Sequence, residues 1–192
     1  MSETPAVTIR PYESDDAAGL WDRKREFELG IGSETGDEGT LTMYEEKLTA
    51  DYRARWLHWV ERCVEEDPDS VTVAVVEGDA GDGDDTGDAD AEVDADAGDN
   101  DEYEVVGYSF VLPESLSFVW DAAVLNEIFV LPEYRGTGVA DDLMEAALDC
   151  AKDQDLPLDR MVLDVDRQNE RAQSFYERYG FEHWGEMIAR EL

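Results

Sequence analysis

The chain has few basic residues, and lysine is the scarcest of them. Its 192 residues include 50 acidic and 15 basic side chains, which gives a formal net charge of −35. Surfaces that bind nucleic acid are usually basic, because they neutralise phosphates. The composition therefore predicts no nucleic-acid partner, and it disfavours an anionic membrane surface for the same reason.

Long hydrophobic runs are absent, and cysteine is rare. No apolar run approaches the roughly 20 residues of a membrane span, and the N-terminus lacks the charged and apolar regions of a signal peptide. We therefore expect a cytoplasmic protein without a membrane partner. The two cysteines, Cys63 and Cys150, lie on apolar stripes of predicted helices, so we expect buried free thiols. His58 and His183 show no ligand spacing with them, and we predict no metal site.

Residues 77–104 have a composition unlike the rest of the chain. The segment consists mostly of Asp, Gly and Ala, and it contains no Lys or Arg. Such a segment buries too little apolar surface to offset its ordering entropy, so we expect a disordered acidic loop inserted in one domain of residues 1–192. The alternative function for this loop is recruitment of a basic partner.

The most informative segment is LNEIFVLPEYRGTGVA at residues 125–140, where an apolar strand runs into a glycine-rich turn and then a helix. A helix start offers about four unpaired backbone N–H groups and a partial positive charge, which together bind anions. Gly136 and Gly138 allow a ligand to approach the backbone closely, and Arg135 adds a fixed charge. The pattern predicts a phosphate-binding turn, which we call the cradle (residues 135–140). A solvated turn without a ligand is the alternative.

Known nucleotide motifs do not fit this turn. No lysine follows Gly138, which excludes a Walker loop, and Asp141 stands where a dinucleotide fingerprint needs a third small residue. The segment instead resembles the Arg/Gln-x-x-Gly-x-Gly/Ala signature of the GCN5-related N-acetyltransferases (GNAT family). Residues 169–181, NERAQSFYERYGF, resemble the family's Asn-x-x-Ala-x-x-Phe-Tyr-x-x-x-Gly-Phe helix, with Asn169 as N-cap and Gly180 as C-terminal stop.

The remaining pattern is consistent with that family's fold. We expect one α/β domain with a GNAT-like mixed, mostly antiparallel central sheet flanked by helices. Hydrophobic periodicity predicts strands at 6–12, 71–76, 104–112, before 131, at 161–165 and within 186–192, and helices from Asp15 or Asp16 toward Phe27, over 41–66, after the cradle and after Asn169.

The resemblance implies how acetyl-coenzyme A would be bound. The pyrophosphate would lie on the cradle, formed by Arg135, Gly136, Thr137, Gly138, Val139 and Ala140. The backbone of Ile128, Phe129 and Val130 would contact the pantetheine arm. Asn169 would cap its helix and bond the coenzyme.

The resemblance also implies two catalytic residues. Tyr176 occupies the position of a tyrosine thought to donate to the departing thiolate, and a core tyrosine is the alternative. An amine of pKa about 10.4 must lose a proton to react near pH 7, at a cost of roughly 4.6 kcal/mol. Glu127 is the candidate base or water orienter, with a structural carboxylate as the alternative. We expect its neighbour Asn126 to face the opposite side of the strand, and a one-residue shift in alignment would place Asn126 at the carboxylate position instead.

The leading hypothesis is an N-acetyltransferase that moves an acetyl group from acetyl-coenzyme A to a primary amine by direct attack in a ternary complex. A sensing module that binds acetyl-coenzyme A without turnover, with the acidic loop as its contact arm, is the alternative. The acceptor amine, either a small molecule or a protein amino group, stays open. Family members often form homodimers, but the sequence does not decide this. The acid-rich, lysine-poor composition resembles that of proteins from salt-in halophiles, so we expect low salt to be destabilising.

Overall fold

A computed structural model describes residues 6–35, 38–77, 103–185, 187 and 190, without side chains for 31–41. The described part contains five strands and six α-helices. The strands are β1 (Val7–Pro11), β2 (Val71–Glu77), β3 (Tyr103–Val111), β4 (Ala123–Val130) and β5 (Met161–Val162). The helices are α1 (Ala17–Thr35), α2 (Glu38–Lys47), α3 (Ala50–Glu66), α4 (Glu114–Ser117), α5 (Val139–Asp153) and α6 (Glu170–Arg178).

The strands form one sheet in the order β1-β2-β3-β4-β5. The first three pairings are antiparallel, and β4 pairs with β5 in parallel. The interior strand β2, VTVAVVE, is buried at every position except its last residue, as expected for a β-branched run covered on both faces. The structure confirms the predicted mixed, mostly antiparallel sheet.

Helices cover the two faces of this sheet. On one face, α1 and α3 pack through Leu20 and Val60 against Tyr108 of β3 and its neighbours. On the other face, α5 packs through Val139 and Leu143 against β2, β3 and β4. The aromatic side chains of α6 extend this second core toward the end of α5. The start of α5, which contains part of the cradle, is therefore supported by buried apolar surface.

Several element boundaries differ from the prediction. The helix expected over 41–66 is two helices, because the helical conformation is interrupted at Leu48 and Thr49. The Thr49 side chain caps α3 by accepting from the Tyr52 N–H at 3.2 Å. Helix α1 continues to Thr35, well past Phe27. The strand expected at 161–165 is only the two-residue β5.

Other expectations concern the ends and gaps of the described chain. The acidic loop, apart from its first and last residues, and most of the last strand, expected within 186–192, lie outside the described residues. Cys63 and Cys150 are free and buried, as predicted. Among the described residues, none of the helices has the length and apolar character needed to cross a bilayer.

Candidate active site

The site is built along β4, which has one paired edge and one open edge. Beyond Val124, β4 has no strand partner on its β5 side within the described residues. The peptide between Val130 and Leu131 shows where backbone groups of β4 point. The Leu131 N–H donates to the Val106 carbonyl on β3 at 2.9 Å, so the Val130 carbonyl points away from β3. Backbone groups of β4 therefore face the open edge, where the Val130 carbonyl accepts from Arg135.

A β-bulge changes the course of β4 beside this edge. Phe110 pairs with Glu127 and Val111 pairs with Leu125, so Asn126 is the extra residue on β4. The bulge ends the regular alternation that predicted opposite directions for Asn126 and Glu127. The Asn126 Nδ2 donates to Glu127 Oε1 at 3.1 Å, so its amide turns toward the carboxylate.

The cradle has the backbone geometry that anion binding requires. Gly136 and Gly138 have φ values of 80° and 102°, in the region that favours glycine, and a Cβ built on either would have no atom within 4 Å. The space over the turn is therefore open. The backbone N–H groups of residues 136, 138, 139 and 140 have no acceptor among the described residues. They point to an anion site at the start of α5.

Two side chains fix the shape of the cradle. The Arg135 Nε donates to the Val130 carbonyl at 3.0 Å, and its guanidinium lies over the Phe129 ring at 5.8 Å. The Thr137 hydroxyl donates to the Tyr134 carbonyl at 2.6 Å. Arg135 is thus tied to the open edge of β4, so its charge lies beside both the strand and the turn.

The helix α6 begins and ends as the sequence predicts. The Asn169 side-chain oxygen accepts from the Ala172 N–H at 3.0 Å, and Gly180 follows the helix with a φ of 80°. The cap uses the oxygen of Asn169, so the side-chain NH₂ group is the part that can donate to a ligand. Capping is therefore an observed role of this residue.

Tyr176 lies on α6 among apolar and aromatic neighbours. It packs beside Phe175 and Phe181, with ring centroids 5.5 and 5.7 Å away, and against the core formed by α5 and β4. Burial raises the pKa of Tyr176 to about 12. The hydroxyl therefore stays protonated throughout the physiological range and acts as a hydrogen-bond donor.

Asp141, in the first turn of α5, connects this helix to α6. Its Oδ1 accepts from the Tyr179 hydroxyl at 2.7 Å and from the Arg178 guanidinium at 3.0 Å. A carboxylate so close to an anion site would repel phosphate. The Arg178 charge offsets that repulsion while the contacts hold α6 against the cradle.

Glu127 belongs to a buried polar cluster on the face of the sheet that α1 covers. Its side chain is enclosed, with 6% of the residue exposed. The carboxylate accepts from Lys24 Nζ and from the Tyr108 hydroxyl, both at 2.6 Å. Lys24 also pairs with Glu28 at 2.7 Å. These are short charge-assisted contacts of the kind that keep buried charges stable.

Glu28 extends this cluster to the next two helices. Its Oε2 pairs with Lys47 of α2 at 2.7 Å, and its Oε1, which pairs with Lys24, accepts from the Tyr52 hydroxyl of α3 at 3.3 Å. Burial opposes the charges, but the paired groups outweigh it: the pKa of Lys24 is raised and that of Glu28 is lowered. Burial, together with the Glu127 charge, raises the pKa of Tyr108 well above its ordinary value. The two ammonium groups and the two carboxylates balance in charge.

The structure brings some predicted residues together and separates others. The cradle, Arg135 and the 128–130 backbone meet at the open edge of β4. Glu127 contacts the α1 side of the sheet, whereas Tyr176 packs in the core on the α5 side. The two side chains therefore lie on opposite faces of the sheet. Lys24 and Tyr108 were not among the residues predicted from sequence, although the Lys24–Glu28 spacing of four residues on a helix indicates an ion pair.

Comparisons with known proteins agree with this geometry. Residues 40–181 match the family model described as Acetyltransferase (GNAT) family. A 52-residue stretch is 44% identical to N-alpha-acetyltransferase 30 of Schizosaccharomyces pombe and covers 27% of this chain and 33% of that protein. The chain thus matches about a third of the length of this curated relative.

Solved structures show the same fold at low sequence identity. The PaiA N-acetyltransferase from Thermoplasma acidophilum, in complex with coenzyme A, has a TM-score of 0.59 and 18% identity, over 92% of this chain and 90% of that one. An aminoglycoside N-acetyltransferase in complex with coenzyme A has a TM-score of 0.54 and 16% identity, over 100% and 98% of the two chains. With the family match over most of the sequence, the chain belongs to the GNAT acetyltransferase family.

Proposed function

We propose that this protein is an acetyl-coenzyme-A-dependent N-acetyltransferase that acetylates a primary amine by direct attack in a ternary complex. The observation that carries the proposal is the cradle, where four backbone N–H groups and open space lie beside the unpaired edge of β4. Family membership supports the same conclusion.

The residues present fit the coenzyme. The N–H groups of residues 136 and 138–140 would bind its pyrophosphate, with the charge of Arg135 beside them and the anchored Thr137 shaping the turn. Ile128, Phe129 and Val130 would offer backbone groups of β4 to the pantetheine arm. The Asn169 amide would donate from the start of α6. When bound, acetyl-coenzyme A supplies the acetyl thioester.

Two side chains would act on the transfer itself. Tyr176 would donate a hydrogen bond to the sulfur of the departing coenzyme, because its hydroxyl keeps its proton at neutral pH. Glu127 would orient the acceptor amine or a water molecule that takes its proton. Lys24, Tyr108 and Asn126 already donate to this carboxylate. Orientation therefore suits Glu127 better than acceptance of a full proton.

The acceptor would approach between α1, α2 and the segment around α4. Acidic side chains occur there, but they occur throughout the chain, so they identify no particular amine. The aminoglycoside N-acetyltransferase above makes aminoglycosides one class to test, beside polyamines, small amines and protein amino groups. We further propose that the enzyme works in the cytoplasm at high salt without a nucleic-acid partner, as the composition predicts.

Initial-velocity measurements of thiol release test the proposal. They are made at about 2 M KCl, where charge repulsion is screened, with acetyl-coenzyme A and a panel of amines. Amine-dependent thiol release with intersecting double-reciprocal plots supports direct transfer, whereas parallel plots indicate a covalent acetyl-enzyme. Coenzyme binding without thiol release on any amine would overturn the enzymatic proposal in favour of a sensing module.

A further inference from the structure

Lys24 is a buried ammonium placed between two buried carboxylates. Only 3% of the residue is exposed, and its Nζ lies 2.6 Å from Glu127 Oε1 and 2.7 Å from Glu28 Oε1. The rings of Phe27 and Trp56 lie 5.2 and 5.4 Å from the same atom. Burial of a charge is costly unless it is paired, so this arrangement fixes the ammonium in place.

The contacts of Glu127 show what this fixed charge does. A carboxylate offers about four acceptor positions. Three donors use them here: Lys24 and Asn126 on Oε1, and Tyr108 on Oε2. The carboxylate is thereby held in one orientation, and about one acceptor position is left for an incoming amine or water.

We propose that Lys24 is a positioning residue that acts through Glu127. Its ammonium keeps the Glu127 carboxylate oriented beside the bulge of β4, so that the remaining acceptor position serves the acceptor amine. The inference rests on the proposed function, in which Glu127 lies next to the acceptor, and it assigns a role to a residue on α1 that does not itself touch the reacting atoms.

Other charged and titratable groups surround the Lys24–Glu127 pair, and they come from every element packed against this pair. Among the described residues they are Glu28 on α1, Lys47 on α2, Tyr52 on α3 and Tyr108 on β3. Lys47 pairs with Glu28 and lies at the partly exposed rim of the cluster, so it provides a matched ammonium for comparison.

The test is the pH dependence of kcat/KM for acetyl transfer in Lys24→Met. An opposite charge within about 4–6 Å lowers a carboxyl pKa by about 1–3 units, so loss of Lys24 should move the acid limb upward by about one unit or more. Lys47→Met removes a charge of the same sign without removing a donor to Glu127, so its acid limb should move much less. A merely structural lysine would change the melting temperature and leave the limb in place.

Two further variants keep the test decisive if the methionine variant fails to fold. Lys24→Gln retains an amide donor and loses the charge, so its acid limb should also move upward. Glu28→Gln removes a negative charge near Glu127 and leaves Lys24 paired with it, so its acid limb should move downward. Thermal unfolding at about 2 M KCl, where surface charges are screened, identifies which variants are folded.

The outcomes distinguish failure of the proposed function from failure of the inference about Lys24. A wild-type protein without thiol release on any amine overturns the proposed function, and this inference falls with it. An active wild type whose acid limb is unchanged in a folded Lys24 variant, or unchanged in Glu28→Gln, overturns the inference and leaves the acetyltransferase proposal standing.

Discussion

Replacement of Tyr176 by Phe removes one hydroxyl and keeps the ring that packs between Phe175 and Phe181. The pKa of Tyr176 is about 12, and that of a free thiol is about 8.5, so complete proton transfer to the thiolate is uphill by about 3.5 units, or about 4.8 kcal/mol. The hydroxyl should therefore stabilise the leaving sulfur by a hydrogen bond alone. Such a bond to a charged group contributes about 1.5–3 kcal/mol, which predicts a fall in kcat of about 10- to 150-fold.

The assay is thiol release at saturating acetyl-coenzyme A and amine, with the melting temperature as a check on folding. Tyr12→Phe is the matched control, because burial also raises the pKa of Tyr12 to about 12 and its hydroxyl has no partner in the described part of the chain. Tyr12 lies in the core on the α1 side, so its loss should spare kcat. An unchanged kcat in a folded Tyr176→Phe protein would refute the proposed role, as would an equal loss in both variants.

The charges of Glu28, of Asp141 and of the whole chain should each have a measurable effect. The pKa of Glu28 is lowered, so its ion pairs stabilise the fold at pH values above the ordinary pKa of 4.5, and this contribution is lost as the pH falls through the folded-state pKa. Urea unfolding across this pH range should therefore show that acid lowers the free energy of unfolding less in Glu28→Gln than in wild type. Asp141→Asn removes an anion beside the cradle and leaves the Arg178 cation, so calorimetry should show tighter coenzyme binding. The gain in affinity should shrink as the salt concentration rises. Weaker binding by this variant would show that Asp141 does not repel the coenzyme. The free energy of unfolding should rise with KCl far more than with sucrose, because salt screens a net charge of −35; equal effects would exclude screening as the cause.

The main features of the fold were predictable because their signals are local. The apolar run of β2 and the helical stripe of α5 each identify one element without reference to the rest of the chain. The break between α2 and α3 was missed because apolar spacing continues across Leu48 and Thr49. The cap at Thr49 follows from a side-chain hydrogen bond that hydrophobic periodicity does not record.

In the candidate site, too, local features were predictable from the sequence and contacts between distant residues were not. Glycine spacing predicts the cradle, because backbone conformation and residue type are directly linked at Gly136 and Gly138. The partner of Glu127 lies 103 residues away in sequence, so its contact with Lys24 depends on how α1 crosses β4. The bulge at Asn126 depends on the register between two strands, which sequence alternation alone does not fix.

The cradle should bind acetyl-coenzyme A, and this is measured by calorimetric titration of the coenzyme into wild type, Gly138→Ala and Gly180→Ala. Both glycines have positive φ and open space around a built Cβ, so both variants should lose similar stability, but only Gly138 lies in the cradle. We expect binding to wild type and Gly180→Ala, and an affinity loss of about tenfold or more in Gly138→Ala, equivalent to about 1.4 kcal/mol. No binding to wild type, or equal binding by the two variants, would contradict it.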